Sequence, residues 1–222
     1  MPSQRRTALL IGIAVVVVLA IAGYFLFGAK KTRDLESSAG AGIADATQRL
    51  RGALSTKPGT AGADGALAAD AAAIDESLAR LRAEDASRNK ALAAAAELYL
   101  VDVQAILKNE AAAARAAGAW EASRKALLAH LDRAQGRGPG WIDRALALKD
   151  KAEKDNFDYR NALGTVADLL RAHQDTQATL RAAWPAAPMI EDEERKEGRK
   201  RAQQAAEQAS EELRKLRQLP LS

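Results

Sequence analysis

WEASRKALLAHLDRAQGRGPGWIDRALALKDKAEKDNFDY, residues 120–159, decides the fold. Its centre, Gly136-Arg137-Gly138-Pro139-Gly140, combines three flexible glycines with a proline that lacks a backbone N–H, and so interrupts a helix. On both sides of that break, apolar and small residues recur at alternating spacings of three and four. Backwards run Ala134, Leu131, Leu127, Arg124, Trp120, Ala117, Ala113, Glu110, Ile106, Val103, Tyr99, Ala96 and Leu92. Forwards run Ile142, Ala145, Lys149, Ala152, Asn156, Tyr159, Leu163, Val166, Leu170, His173, Gln177, Leu180 and Trp184. A 3.5-residue repeat kept up for about six heptads is the pattern of coiled-coil packing. A connection this short favours antiparallel neighbours. The expectation is a hairpin with arms 86–135 and 141–184.

Folding the seams back at the break sets Ala117 against Tyr159, Ala113 against Leu163, Ile106 against Leu170 and Ala96 against Leu180. Small faces large, which fills facing layers without voids. The same rungs set His173 opposite Val103 and Gln177 opposite Tyr99. Tyr99, His173 and Gln177 therefore form a candidate polar layer. Its bland role is a structural hydrogen bond; its sharp role is a pH-sensitive or ligand-reading site, since histidine titrates near neutrality. The bland role is favoured.

Outward from the hairpin, the chain is alanine-rich and charged, with few aromatic and β-branched residues, so strands are not expected. Residues 34–55 read as a weak juxtamembrane helix loosened by Gly40, Gly42 and Gly52, within a 30–65 unit that ends in a Gly/Pro-containing linker. Residues 66–84 read as a short helix with Leu67, Ile74, Leu78 and Leu81 near one face, and Asp85 or Ser87 as the cap of the next helix. A second stripe on the first arm, Ala95, Leu98, Asp102, Ala105, Ala112, Ala116 and Ala119, offers an alanine face to that helix or to a partner. After the Pro185–Pro188 hinge, residues 185–222 carry acid-before-base pairs Glu191/Arg195, Asp192/Lys196 and Glu197/Arg201. Ala202, Ala206, Ala209, Leu213 and Leu216 add a narrow apolar stripe.

Twenty-three uncharged residues separate Arg6 from Lys30, and 8–27 is almost wholly apolar. At about 1.5 Å of rise per residue, such a run crosses a bilayer core of roughly 30 Å. Ala20-Ile21-Ala22 resembles a signal-peptidase site, but the run continues through Tyr24, Phe25 and Phe27, which favours an uncleaved anchor. Residues 1–29 are read as a short cytoplasmic tail and anchor in the inner membrane, with the larger part in the periplasm. So short a tail leaves no room for a signalling domain. Arg5, Arg6, Lys30, Lys31 and Arg33 are five of the 33 basic residues, and no acidic residue lies among them. The remainder holds 28 basic against 29 acidic residues, a net of −1. Nucleic-acid binding is therefore not expected.

Motifs for chemistry are weak. His130-Leu131-Asp132 and His173-Gln174-Asp175 place each histidine two residues from an aspartate, and positions i and i+2 diverge on a helix. No metal, cofactor or catalytic residue is expected. Glycine phosphate loops, a nucleophile elbow and cysteines are all missing from the sequence. The fold class expected is all-α: one transmembrane helix, then an elongated helical bundle built on a long antiparallel coiled-coil hairpin. The function expected is a non-enzymatic, membrane-anchored helical scaffold or interaction protein of the bacterial envelope. Lipid would be met through residues 8–27, and envelope proteins or further copies through the stripes. The alternative is a sensor-type ligand-binding bundle that signals through a separate partner.

Overall fold

A computed structural model describes residues 35–84, 89–132 and 139–219. The expected anchor, the candidate caps Asp85 and Ser87, and most of the glycine-rich break lie outside the described residues. Every regular element described is a helix: α1 over residues 35–55, α2 Asp64–Ala83, α3 Lys90–Asp132, α4 Pro139–Ala183 and α5 Asp192–Arg217. No described helix is long and apolar enough to cross a membrane.

α3 and α4, 43 and 45 residues long, pack along each other as an antiparallel pair. At one end His130 stacks on Trp141 with ring centroids 5.1 Å apart; toward the other, Tyr99 meets His173 at 5.0 Å. At helical rise the pair is about 65 Å long. Ile106, Val166 and Leu170 are buried in one cluster, and Ala113, Ala117, Tyr159 and Leu163 in a second. The expected rung set His173 opposite Val103; its ring meets Asp102, the residue just before Val103, and Tyr99, one turn back.

The flanking helices dock where bulky apolar side chains offer the most area. α2 runs antiparallel to α3, tied by Arg82–Glu97 and by Gln104, whose Nε2 donates to Ala71 O and Asp75 Oδ1 at 3.1 and 2.6 Å. Of the alanine stripe, only Ala95 is buried in the cluster that α2 joins. Leu100, Leu107, Ala111 and Ala114 are buried, whereas Leu98 is 54% exposed. Burying a leucine yields roughly 1.5–3 kcal/mol, more than an alanine face offers, so the leucine face wins. The cap of α3 is Asn89, whose Oδ1 accepts the Leu92 N–H at 3.1 Å.

α1 is no loose segment. Leu35, Ala39, Ile43, Ala46 and Leu50 are buried in the larger cluster. The glycines are close-approach points: a Cβ on Gly40 would lie 3.0 Å from the Trp184 ring, and one on Gly42 3.3 Å from Ser77. Only Gly52 faces open space. Trp184 thus covers Gly40 of α1 rather than capping the Leu92 rung alone.

α5 returns antiparallel to α4, burying Ala202, Ala205, Ala209, Leu213 and Leu216; Ala205 takes the place expected for Ala206. Asn156 Nδ2 donates to Ala209 O at 2.9 Å, and Arg217 pairs with Glu153 at 2.8 Å. Its start carries a Glu191/Glu194 capping box, with the Glu191 N–H donating to Glu194 Oε2 at 2.7 Å. Asp192 and Glu193 pair at i+3, with Arg195 and Lys196; the expected i+4 spacing survives only at Glu197–Arg201. α1 and α5 overlap where Arg51 meets Glu194 and Leu54 packs on Gly198. The three flanking helices described, α1, α2 and α5, share the hairpin as their support.

Candidate functional site

The polar layer sits where α1, α3, α4 and the α4–α5 link converge. That link, Pro185 to Glu191, is not helical, so its backbone groups need partners once buried. Tyr99, His173 and Gln177 are 0, 0 and 1% exposed. Thr47 Oγ1 donates to Pro188 O at 2.7 Å, which leaves Thr47 to accept from the Tyr99 hydroxyl at 2.7 Å. The Ile190 backbone also reaches the Tyr99 oxygen. Gln177 Nε2 donates to Ile190 O at 2.8 Å, while its Oε1 accepts from buried Arg195. One bonded chain therefore runs Ile190–Tyr99–Thr47–Pro188, and a second pins Ile190 through Gln177 to α5. Burial raises the Tyr99 phenol, and its hydrogen bonds only partly offset this, so it stays protonated.

His173 turns to the other side of the layer. Its Nδ1–H donates to Asp102 Oδ2 at 3.1 Å, and its Nε2 meets no hydrogen-bond partner among the described residues. Burial opposes ionisation of Asp102. Bonds from His173 and Thr176, with the electrostatic pull of the imidazole, outweigh it and hold the carboxyl below its usual value. The histidine thus pairs with Asp102 across the hairpin, not with Asp175 two residues on.

The structure brings all three expected residues into one layer, Tyr99 against His173 and Gln177 through the Ile190 backbone. Sequence reading missed Thr47, Asp102 and Arg195, which complete it. Only Asp102 carried a usable signal, as the one charge in an alanine stripe.

A second polar place lies further along the seam. Glu110, 3% exposed, occupies an inward position of α3, and burial lifts its carboxyl to about 7 while a Gly59 backbone bond opposes the rise. Gly59 also helps to wall a cavity of about 290 Å³, with Lys57, Trp120, Arg124, Tyr159 and Glu212 among its other boundaries. Arg124 is drawn out of the hairpin seam by Glu212 of α5 at 3.0 Å. Among the described residues there is no group of three metal-ligating side chains. Protein-family models, curated proteins and solved structures were compared with the chain, and none matches.

Proposed function

We propose that the chain is a non-enzymatic, membrane-anchored scaffold of the bacterial envelope: residues 8–27 in the inner membrane, the helical rod in the periplasm, envelope proteins held along it. The observation that carries this reading is how the polar layer is closed: apart from His173 Nε2, its polar side chains find their partners within the chain. Tyr99, Gln177 and Arg195 spend their hydrogen bonds on the chain's own link and helices. A site built to read a ligand would hold polar groups open to it; this one stiffens a rod. What remains for partners is the outer surface, where Leu98, Val101, Leu128, Ile142, Leu146 and Phe157 are each more than 40% exposed. Apolar side chains in such number on two helices fit protein contact better than solvent.

The sensor reading draws its support from the cavity beside Tyr159 instead, where Trp120 and charged residues face a volume of about 290 Å³. The two readings part experimentally. Photo-crosslinkers at Ile142 and Phe157, in membranes of intact cells, are expected to give one discrete adduct each. Crosslinkers at solvated Lys151 and Glu193 are expected to give none. Adducts spread evenly over all four positions would count against the scaffold reading, and a melting shift with a small molecule would favour the sensor.

A further inference from the structure

The cavity beside Tyr159 differs from the polar layer in that its polar groups are unspent. It lies between the α1–α2 loop, α3, α4 and α5, and buried Ala117, Ala205 and Ala209 give it an apolar side. Trp120 and Tyr159 are 4 and 8% exposed, yet the indole N–H and the phenol hydroxyl meet no hydrogen-bond partner among the described residues. Arg124 commits one Nη to Glu212 at 3.0 Å, and its buried Nε has no partner there either. Exposed Lys57 and Gln208 stand at the rim, and neither side chain pairs with a described residue. Every one of these groups can donate a hydrogen bond, and two carry positive charge. The lining carboxylates are taken: Glu212 by Arg124, and Glu121 by Lys125 at 2.7 Å. Glu110 bonds the Gly59 backbone and is not among the lining residues. The loop wall is set by contact. Gly59 adopts φ of +64°, open to glycine but strained for other residues, and a Cβ there would lie 2.5 Å from Tyr159 Cε2.

We propose that this cavity binds a small organic anion, a carboxylate on a flat apolar body, with the acid group received by Arg124, Lys57 and the Tyr159 hydroxyl and the body lying along Trp120 and the buried alanines. A carboxylate only accepts hydrogen bonds, so it suits a lining whose free groups are donors, and bonds between charged partners are the stronger kind. A cation finds no free carboxylate, since both in the lining already hold basic partners. A neutral body of the same shape gains the apolar contact but forgoes the charge-assisted bonds. At about 290 Å³ the cavity is at the lower end for ligand pockets, so one ring and its acid group fit and a nucleotide or a long acyl chain does not. This ligand class is the one the sensor reading needs, and it rests on that reading's cavity; partners held along the outer surface are independent of it.

Benzoate, benzamide and benzamidine share one framework and are negative, neutral and positive near neutral pH. Titrated at up to millimolar concentration into the full chain in detergent micelles, and followed by calorimetry and tryptophan fluorescence, they test the site. Benzoate is expected to bind saturably and about tenfold or more tightly than either of the others. Lys57→Gln alters a side chain without a partner, and Tyr159→Phe keeps the ring beneath Gly59 while removing the hydroxyl. Each is expected to weaken benzoate about three- to tenfold. Should Tyr159→Phe not fold, Lys57→Gln decides alone. A fall in either variant supports binding here. No saturable binding of benzoate, equal binding of benzamide or benzamidine, or a benzoate affinity untouched by the substitutions overturns the proposal. Such a failure leaves the crosslinks expected at Ile142 and Phe157 unaffected, so the scaffold reading is judged separately.

Discussion

Arg195→Ala is expected to lower the unfolding free energy by about 3 kcal/mol, the range for stripping a charged donor from a buried acceptor. For a chain of this size that is a fall in Tm of roughly 6–12 °C. Arg195 is 4% exposed although it is an arginine in a strongly charged helix. Its guanidinium donates to Gln177 and lies 3.3 Å from Asp192. Truncation leaves Gln177 Oε1 without its donor inside the layer and opens a void between α4 and α5. Gln177 also holds Ile190 O, so the loss loosens the link that enters α5. Arg195→Lys is expected to recover little, because one ammonium on a flexible stem cannot span both acceptors as a planar fork does. Urea unfolding followed by circular dichroism measures both variants. A loss under about 1 kcal/mol in the alanine variant would mean that the layer does not fasten α5.

The second large effect depends on pH. The Glu110 carboxyl is raised from 4.5 to about 7 in the folded chain. A carboxyl raised by folding binds its proton more tightly when folded, so stability falls as pH climbs. The contribution is intact below the unfolded value, declines between about 4.5 and about 7, and is level above. Over that window it amounts to about 3 kcal/mol. Glu110→Gln is expected to abolish this slope, so that it gains most over the wild type above neutrality. Asp102 acts in the opposite sense: its depressed carboxyl gives stability that is lost on acidification, below the Glu110 window. Unfolding curves of both proteins at several pH values isolate Glu110 by difference. Parallel profiles for the two would show that the buried carboxyl is already hydrated.

The hairpin was legible because its 3.5-residue repeat is long: about six heptads on each arm leave little room for another pairing direction. The polar layer was legible for a related reason. Tyr99, His173 and Gln177 occupy inward positions where apolar residues are the norm, so they stood out together. Glu110 and Asn156 share that signature. Their spacing marks both as seam positions, but spacing alone carries no sign of what a buried carboxyl there does. Thr47 and Arg195 were invisible for a different reason. They reach the layer across 52 and 18 residues of chain, and nothing in local spacing marks a threonine or an arginine as inward.

The misreading of α1 shows how propensity fails when packing intervenes. Gly40 and Gly42 weaken an isolated helix by about 1 kcal/mol each. Here they admit the Trp184 indole and the Ser77 side chain at contact distance, which larger residues would exclude. The corrective signal was present: Leu35, Ala39, Ile43, Ala46, Leu50 and Ala53 recur at the same three-and-four spacing as the seams, and all six are buried. Likewise α2 chose leucines over the more regular alanine stripe, since area buried outweighs regularity.

α1 also bears on how a membrane anchor would act. Its first described residue, Leu35, lies eight residues after Phe27, and its apolar face is buried in the bundle, so the proposed tether would enter the bundle through this helix.

Extraction of the full chain from cell membranes probes the proposed tether most directly. After an alkaline carbonate wash, with the intact mass read from the membrane pellet, the chain is expected to stay in the pellet with residues 1–34 attached. Release of the chain into the wash, or a mass beginning after Ala22, would contradict it.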